Sequence, residues 1–190
     1  MVKPRCGFPD LVNGSLIKHG VKLVRDPFKS ELYYGYPERK WSKLLLSWSV
    51  APETRSDAMN AIYNAFDSWQ GVTRFNFMVS YGKPDILISF TSFPSEDYEP
   101  FLRHSGIMAY ADLPPKGKLH FRADVPWSNA ASGDKMDIET IAVHELGHIL
   151  GLRHINVPSA VMWPYSELGV IKRKLYRDDI LAIKALYKFR

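Results

Sequence analysis

The sequence predicts one mixed domain, α+β or α/β, and three observations predict it. Short apolar runs with strand periodicity gather between residues 43 and 122, and three segments carry helical periodicity. No internal repeat or low-complexity tract interrupts them. At 190 residues with 46% hydrophobic content, the chain is long enough to bury a good core.

Taken in order, Pro4-Arg5-Cys6-Gly7-Phe8-Pro9-Asp10 is rigid and extended, its prolines and glycine opposing both helix and strand. Residues 11–40 lack sustained periodicity and read as an exposed linker open to proteolytic nicking. The Asn13-Gly14-Ser15 triplet within it accepts a glycan only in a secreted protein. Lys43 to Val50 reads as a strand. Ser56 to Gln70 reads as an amphipathic helix with Ala58, Ile62, Ala65, Phe66 and Trp69 as its apolar stripe. Arg74 to Val79 and Asp85 to Thr91 are strands by alternation, the first through Phe75, Phe77 and Val79. Between 94 and 134 the chain is loop-rich, with short strands at Gly106 to Ala111 and Lys118 to Arg122. A second helix opens near Asp137 and Glu139, acidic groups favoured at a helix start. A third runs from about Asp178 to Tyr187.

The bulk numbers exclude several classes. No run of about 18 apolar residues is present, so no membrane span is expected, and the N-terminus carries no signal pattern. The net charge of +5 comes from scattered Lys and Arg, including Lys172-Arg173-Lys174, without the coherent basic face that nucleic acid requires. A single cysteine, Cys6, forbids a disulfide within the chain.

The chemistry concentrates in His144-Glu145-Leu146-Gly147-His148-Ile149-Leu150-Gly151-Leu152-Arg153-His154. Histidines at i and i+4 share one helix face, one turn apart, and can share a metal. Gly151 suits a helix stop and a turn that returns His154 as a third ligand. Three protein ligands with one position left over is the composition of a catalytic zinc, and Glu145 stands where it can deprotonate water there. The Cys6 thiolate is an excellent fourth zinc ligand and would displace that water, so inhibition in cis is expected.

His144 through His154 matches the metzincin signature, and Pro158-Ser159-Ala160-Val161-Met162-Trp163-Pro164 resembles the methionine turn that floors such sites. Pro4 to Asp10 resembles the cysteine switch of matrix metalloproteinases, the matrixins. Lys40-Trp41-Ser42-Lys43 is similar to the start of their mature domain, and the plant matrixins resemble this chain most. The resemblance implies an α+β metzincin-like fold: a mostly parallel twisted sheet with one antiparallel edge strand and three helices. It divides the chain into a propeptide remnant (1–40) and a catalytic domain (41–190). It implies a zinc endopeptidase with Glu145 as general base, and His144, His148, His154 and, in the latent form, Cys6 as ligands. Arg5 and Asp10 would pair to hold the switch. Met108-Ala109-Tyr110 would be the edge to which substrate adds, and Pro164 and Tyr165 the wall of the specificity pocket. Expected partners are protein substrates and an activating protease that cuts between Arg25 and Lys40. A secreted or cell-wall monomer that binds no nucleic acid is implied.

The departures from that family are specific. Its second, structural zinc would fall on Ser95, Asp97, Tyr110 and His120, of which only Asp97 and His120 are ligands. Leu102, Arg122 and Val125 stand at its calcium positions. One catalytic Zn2+ is therefore expected, without the structural Zn2+ and Ca2+ of the family. Tyr176 replaces a Ser/Thr N-cap, forfeiting on the order of 1 kcal/mol. The alternative function is a non-proteolytic binding or signalling protein on the same scaffold. Another metzincin branch is disfavoured by the Cys6 motif and by Ile155.

Overall fold

The structure is a computed structural model that describes residues 5–8, 11–12, 15–16, 22–25, 32–35, 39–91, 106–130 and 132–189. The strands are β1 (Arg5–Cys6), β2 (Leu11–Val12), β3 (Ser15–Leu16), β4 (Lys22–Arg25), β5 (Leu32–Gly35), β6 (Leu45–Val50), β7 (Asn76–Val79), β8 (Ile86–Thr91), β9 (Ile107–Ala111), β10 (Lys118–Arg122), β11 (Trp127–Ser128) and β12 (Met136–Asp137). The α-helices are α1 (Met59–Gln70), α2 (Ile138–Ile149) and α3 (Arg177–Tyr187). A six-stranded sheet in the order β1-β9-β10-β8-β6-β7 carries the fold, and every pairing in it is parallel except β9 with β10. This is the expected mixed, mostly parallel α+β architecture.

The central strand β8 is buried on both faces through Ile86, Ile88, Ser89 and Phe90, as a covered parallel strand must be. One helix-bearing face is set by α1, whose Ile62, Ala65, Phe66 and Trp69 enter the core at i, i+3, i+4, i+7 spacing. Trp69 donates its indole N–H to the Val143 carbonyl at 2.8 Å, which fixes α1 against the middle of α2. The helix α2 is buried at every residue, so it is the hub that sheet and helices enclose.

Its start is strongly tied. Asp137 caps α2, accepting from the Thr140 amide (2.8 Å) and hydroxyl (2.6 Å), and takes the Arg173 guanidinium at 2.6 Å. Burial would push the Asp137 carboxyl up, but Arg173 and Thr140 override it and hold it below the usual range. At the other end, Trp41 donates its indole N–H to the Ile149 carbonyl (2.9 Å), and Tyr187 of α3 bridges the Trp41 amide to the Leu150 carbonyl. Burial raises the Tyr187 hydroxyl to about 12, so it stays a donor across the ordinary pH range.

Several expectations need correction. The Pro4–Asp10 segment is not free of strand: Arg5 and Cys6 pair in parallel with Ile107 and Ala109 of β9. An extended backbone needs only a free sheet edge to become a strand, and β9 offers one. In consequence the antiparallel strand β9 is not at the rim of the sheet; β1 lies outside it. Residues 11–40 are not a linker without regular structure, since β2 pairs with β3 and β4 with β5, both antiparallel. The alternation expected in the 74–79 strand does not mark a core face: Phe75 is buried, Phe77 half-buried and Val79 exposed at the sheet's far edge. The pair β11–β12, two residues each, is too short to leave a periodic signal. No helix among the described residues is long and apolar enough to cross a membrane.

Candidate metal centre

Two turns of α2 and the loop behind it assemble the centre. His144 and His148 stand one turn apart on α2, both buried. Gly151 then takes φ +99, and a Cβ there would stand 2.5 Å from the Arg39 carbonyl oxygen, so only glycine makes this exit. The turn brings back His154, 4% exposed. One ligand atom each from Cys6, His144, His148 and His154 lie within 4.8 Å of one another, all four residues buried.

The donor chemistry suits zinc. His144 Nδ1 lies 2.7 Å from the Val161 carbonyl oxygen, and His148 Nδ1 lies 2.8 Å from that of Leu152. A carbonyl only accepts, so both Nδ1 atoms carry the proton and both Nε2 atoms keep a lone pair. Three imidazole nitrogens and one thiolate sulfur make up a four-ligand tetrahedral set that zinc accepts. Glu145 is completely buried beside them. Burial pushes its carboxyl up to about 8, with the Cys6 thiol pulling the other way.

Met162 packs against α2. It is fully buried, and Gly147 faces its sulfur so closely that no Cβ would fit between them. Its turn is fixed from α3: the buried Asp179 carboxylate accepts from the amides of Val161 (2.9 Å), Met162 (3.0 Å) and Tyr176 (2.8 Å). The last of these satisfies the α3 start that the Tyr176 side chain leaves uncapped.

The expected cleft residues come together on its two walls. Gly7 N donates to the Ala109 carbonyl at 2.9 Å, and Cys6 N donates to the Pro164 carbonyl at 3.3 Å. The backbone of residues 6 and 7 therefore bridges β9 and the segment at Pro164. Met108 and Pro164 are buried, and Tyr110 and Tyr165 half-buried. Beside this wall opens a cavity of about 730 Å³, lined among others by Thr140, His144, Val161, Tyr165 and Lys172. Lys172 stabilises its rim by donating from Nζ to the Pro158 (2.5 Å) and Ala160 (2.8 Å) carbonyls. Asp10 and the Arg5 side chain lie outside the described residues, and so do Ser95, Asp97 and Leu102.

Residues 40–188 match the family model described as Matrixin. The chain belongs to the matrixin family. Among its relatives, metalloendoproteinase 5-MMP of Arabidopsis thaliana is 38% identical over 200 residues, covering 98% of this chain and 56% of that protein. Human matrix metalloproteinase-16 is 36% identical over 208 residues, covering 98% and 32%. Karilysin of Tannerella forsythia is 37% identical over 175 residues, covering 86% and 36%. The chain thus spans about half the length of the plant matrixins it matches.

Sequence reasoning missed three contributors to the site. Phe8 stacks on the His148 ring, Asp179 holds the methionine turn from α3, and Lys172 braces the pocket. Asp179 had a signal, an acidic residue at N3 of a helix without a capping side chain. Phe8 had none, because its partner lies 140 residues away.

Proposed function

We propose that this matrixin chain is a zinc-dependent endopeptidase held in latent form by Cys6. The observation that carries the reading is the buried cluster of three imidazoles and one thiol, with Glu145 closed in beside it. His144, His148 and His154 would hold a zinc ion, which would supply Lewis-acid polarisation and lower the pKa of water there. Glu145 takes the proton of the attacking water and passes it to the leaving amine. Once the switch segment leaves, the Ala109 and Pro164 carbonyls that now accept from Gly7 and Cys6 are available to an extended peptide. The 730 Å³ cavity beside Pro164 and Tyr165 receives one of its side chains.

The domain boundary falls near Trp41, whose ties to Ile149 and Tyr187 anchor the start of the catalytic part (41–190). An activating protease cuts upstream, between Arg25 and Lys40, and releases the segment that carries Cys6. The protein works as a monomer outside the cell, on extracellular proteins.

A single zinc per chain, with neither the structural zinc nor the calcium of the family, fits the residues. His120 is buried on the Ser89 hydroxyl at 2.6 Å, and burial lowers it to about 4. The Tyr110 hydroxyl donates to Asp112. Arg122 places a guanidinium between Asp124 and the Ile107 carbonyl, where a calcium would need oxygen ligands. Metal analysis of the purified chain is expected to find one zinc; two would contradict the lost second site.

The decisive assay is hydrolysis of a fluorogenic peptide by linker-cleaved protein. Glu145→Ala is expected to lower turnover by about 1,000-fold. Equal turnover by both proteins would remove Glu145 as the base, and none by either would favour a binding role.

A further inference from the structure

The cavity beside Pro164 and Tyr165 is apolar over much of its wall and charged at one place. Val161, Trp163, Tyr165 and Val170 supply apolar lining, and Lys172 adds a cation to it. That residue is fixed at both of its ends. The Lys172 amide donates to the Thr140 hydroxyl oxygen at 2.8 Å, and the hydroxyl donates in turn to Asp137 at 2.6 Å. The ammonium donates to the carbonyls of Pro158 and Ala160, and Pro158 itself lines the cavity. The half-buried charge is therefore held in the wall of the cavity.

These contacts hold the charge without cancelling it. A carbonyl is neutral, and an ammonium carries three donors, of which the two carbonyls take two. The carboxylates that act on it from further away are Asp179 and Glu167. Asp179 is buried and committed to the amides of Val161, Met162 and Tyr176. Glu167 lines the cavity but is exposed, where water and salt screen it. A side chain that enters thus meets apolar surface along its length and a positively charged donor in the wall. Leucine satisfies the first and leaves the second unanswered. Glutamate answers both, with its methylenes on the apolar lining and its carboxylate on the ammonium.

We propose that Lys172 sets the specificity of this cavity, which takes a long side chain with an acceptor at its tip, glutamate ahead of leucine. The proposal rests on the cleft reading above, but the first of its two tests needs no turnover, so the two fail separately.

In that test the uncleaved chain is titrated with 4-phenylbutyrate and with the neutral 4-phenylbutan-1-ol, read from the methyl NMR signals of Val161 and Val170. The carboxylate is expected to bind about 10-fold tighter in wild type, equally with the alcohol in Lys172→Met, and again tighter in Lys172→Arg. Equal affinities in wild type, or no shift with either probe, would overturn the proposal. So would a preference that survives in Lys172→Met, because the carboxylate would then be bound elsewhere. In the second test, linker-cleaved protein digests a mixed peptide library and the cleaved bonds are read by mass spectrometry. Wild type and Lys172→Arg are expected to favour glutamate about 10-fold over leucine at one position beside the cleaved bond, and Lys172→Met to reverse that order. Leucine ahead of glutamate at every position in wild type would contradict the proposal and leave the peptidase assignment intact. Absence of any cleavage would contradict that assignment, and the titration then decides the proposal by itself.

Discussion

Asp179→Ala is expected to cost about 4 kcal/mol of stability and to release the metal from a centre it does not touch. Its carboxylate is wholly buried and accepts three backbone amides, from Val161, Met162 and Tyr176. Each hydrogen bond to a charged group contributes about 1.5–3 kcal/mol, and the three are not additive. Removing the acceptor strands the two buried N–H groups of Val161 and Met162, which water must then reach by opening the turn, and leaves the part-buried Tyr176 amide without its acceptor. That turn carries the Val161 carbonyl, which orients His144, and Met162, which fills the space against Gly147. Urea unfolding and zinc content of the same preparation check both halves. Asp179→Asn keeps one acceptor oxygen and should fall between the two; wild-type stability in Asp179→Ala would refute the account of the methionine turn.

Cys6→Ser is expected to turn a silent chain into an active one without linker cleavage, raising turnover on the order of 100-fold. That factor corresponds to about 2.7 kcal/mol of lost ligand stabilisation, a modest share of a zinc–thiolate bond. Activation is expected to be incomplete. The amide bonds of residues 6 and 7 to the Pro164 and Ala109 carbonyls survive the substitution, and so does the Phe8 stack. An uncleaved Cys6→Ser chain as silent as wild type, while cleaved wild type is active, would show that backbone occupancy alone maintains latency.

How much of this was legible before the structure follows from where each signal resides. The two histidines of α2 and the third in the loop behind it announce themselves because ligand spacing and a turn glycine lie within one short stretch of sequence. The existence of strands β6 to β10, though not their order in the sheet, follows from their short apolar runs. The segment around β1 gave no strand signal, because its partner β9 lies a hundred residues on and its prolines suppress local propensity. The segments of β2 to β5 carry no sustained periodicity in sequence. Phe8, Asp179 and Lys172 act through tertiary contacts with α2 and the methionine turn, which no local periodicity reports.

The central claim is that one zinc sits among His144, His148, His154 and Cys6. X-ray absorption at the zinc edge of the uncleaved chain tests it most directly. The account predicts three nitrogen ligands at about 2.0–2.1 Å and one sulfur at about 2.3 Å, the sulfur disappearing in Cys6→Ser. A zinc shell of nitrogen and oxygen alone in the uncleaved wild-type chain would contradict it.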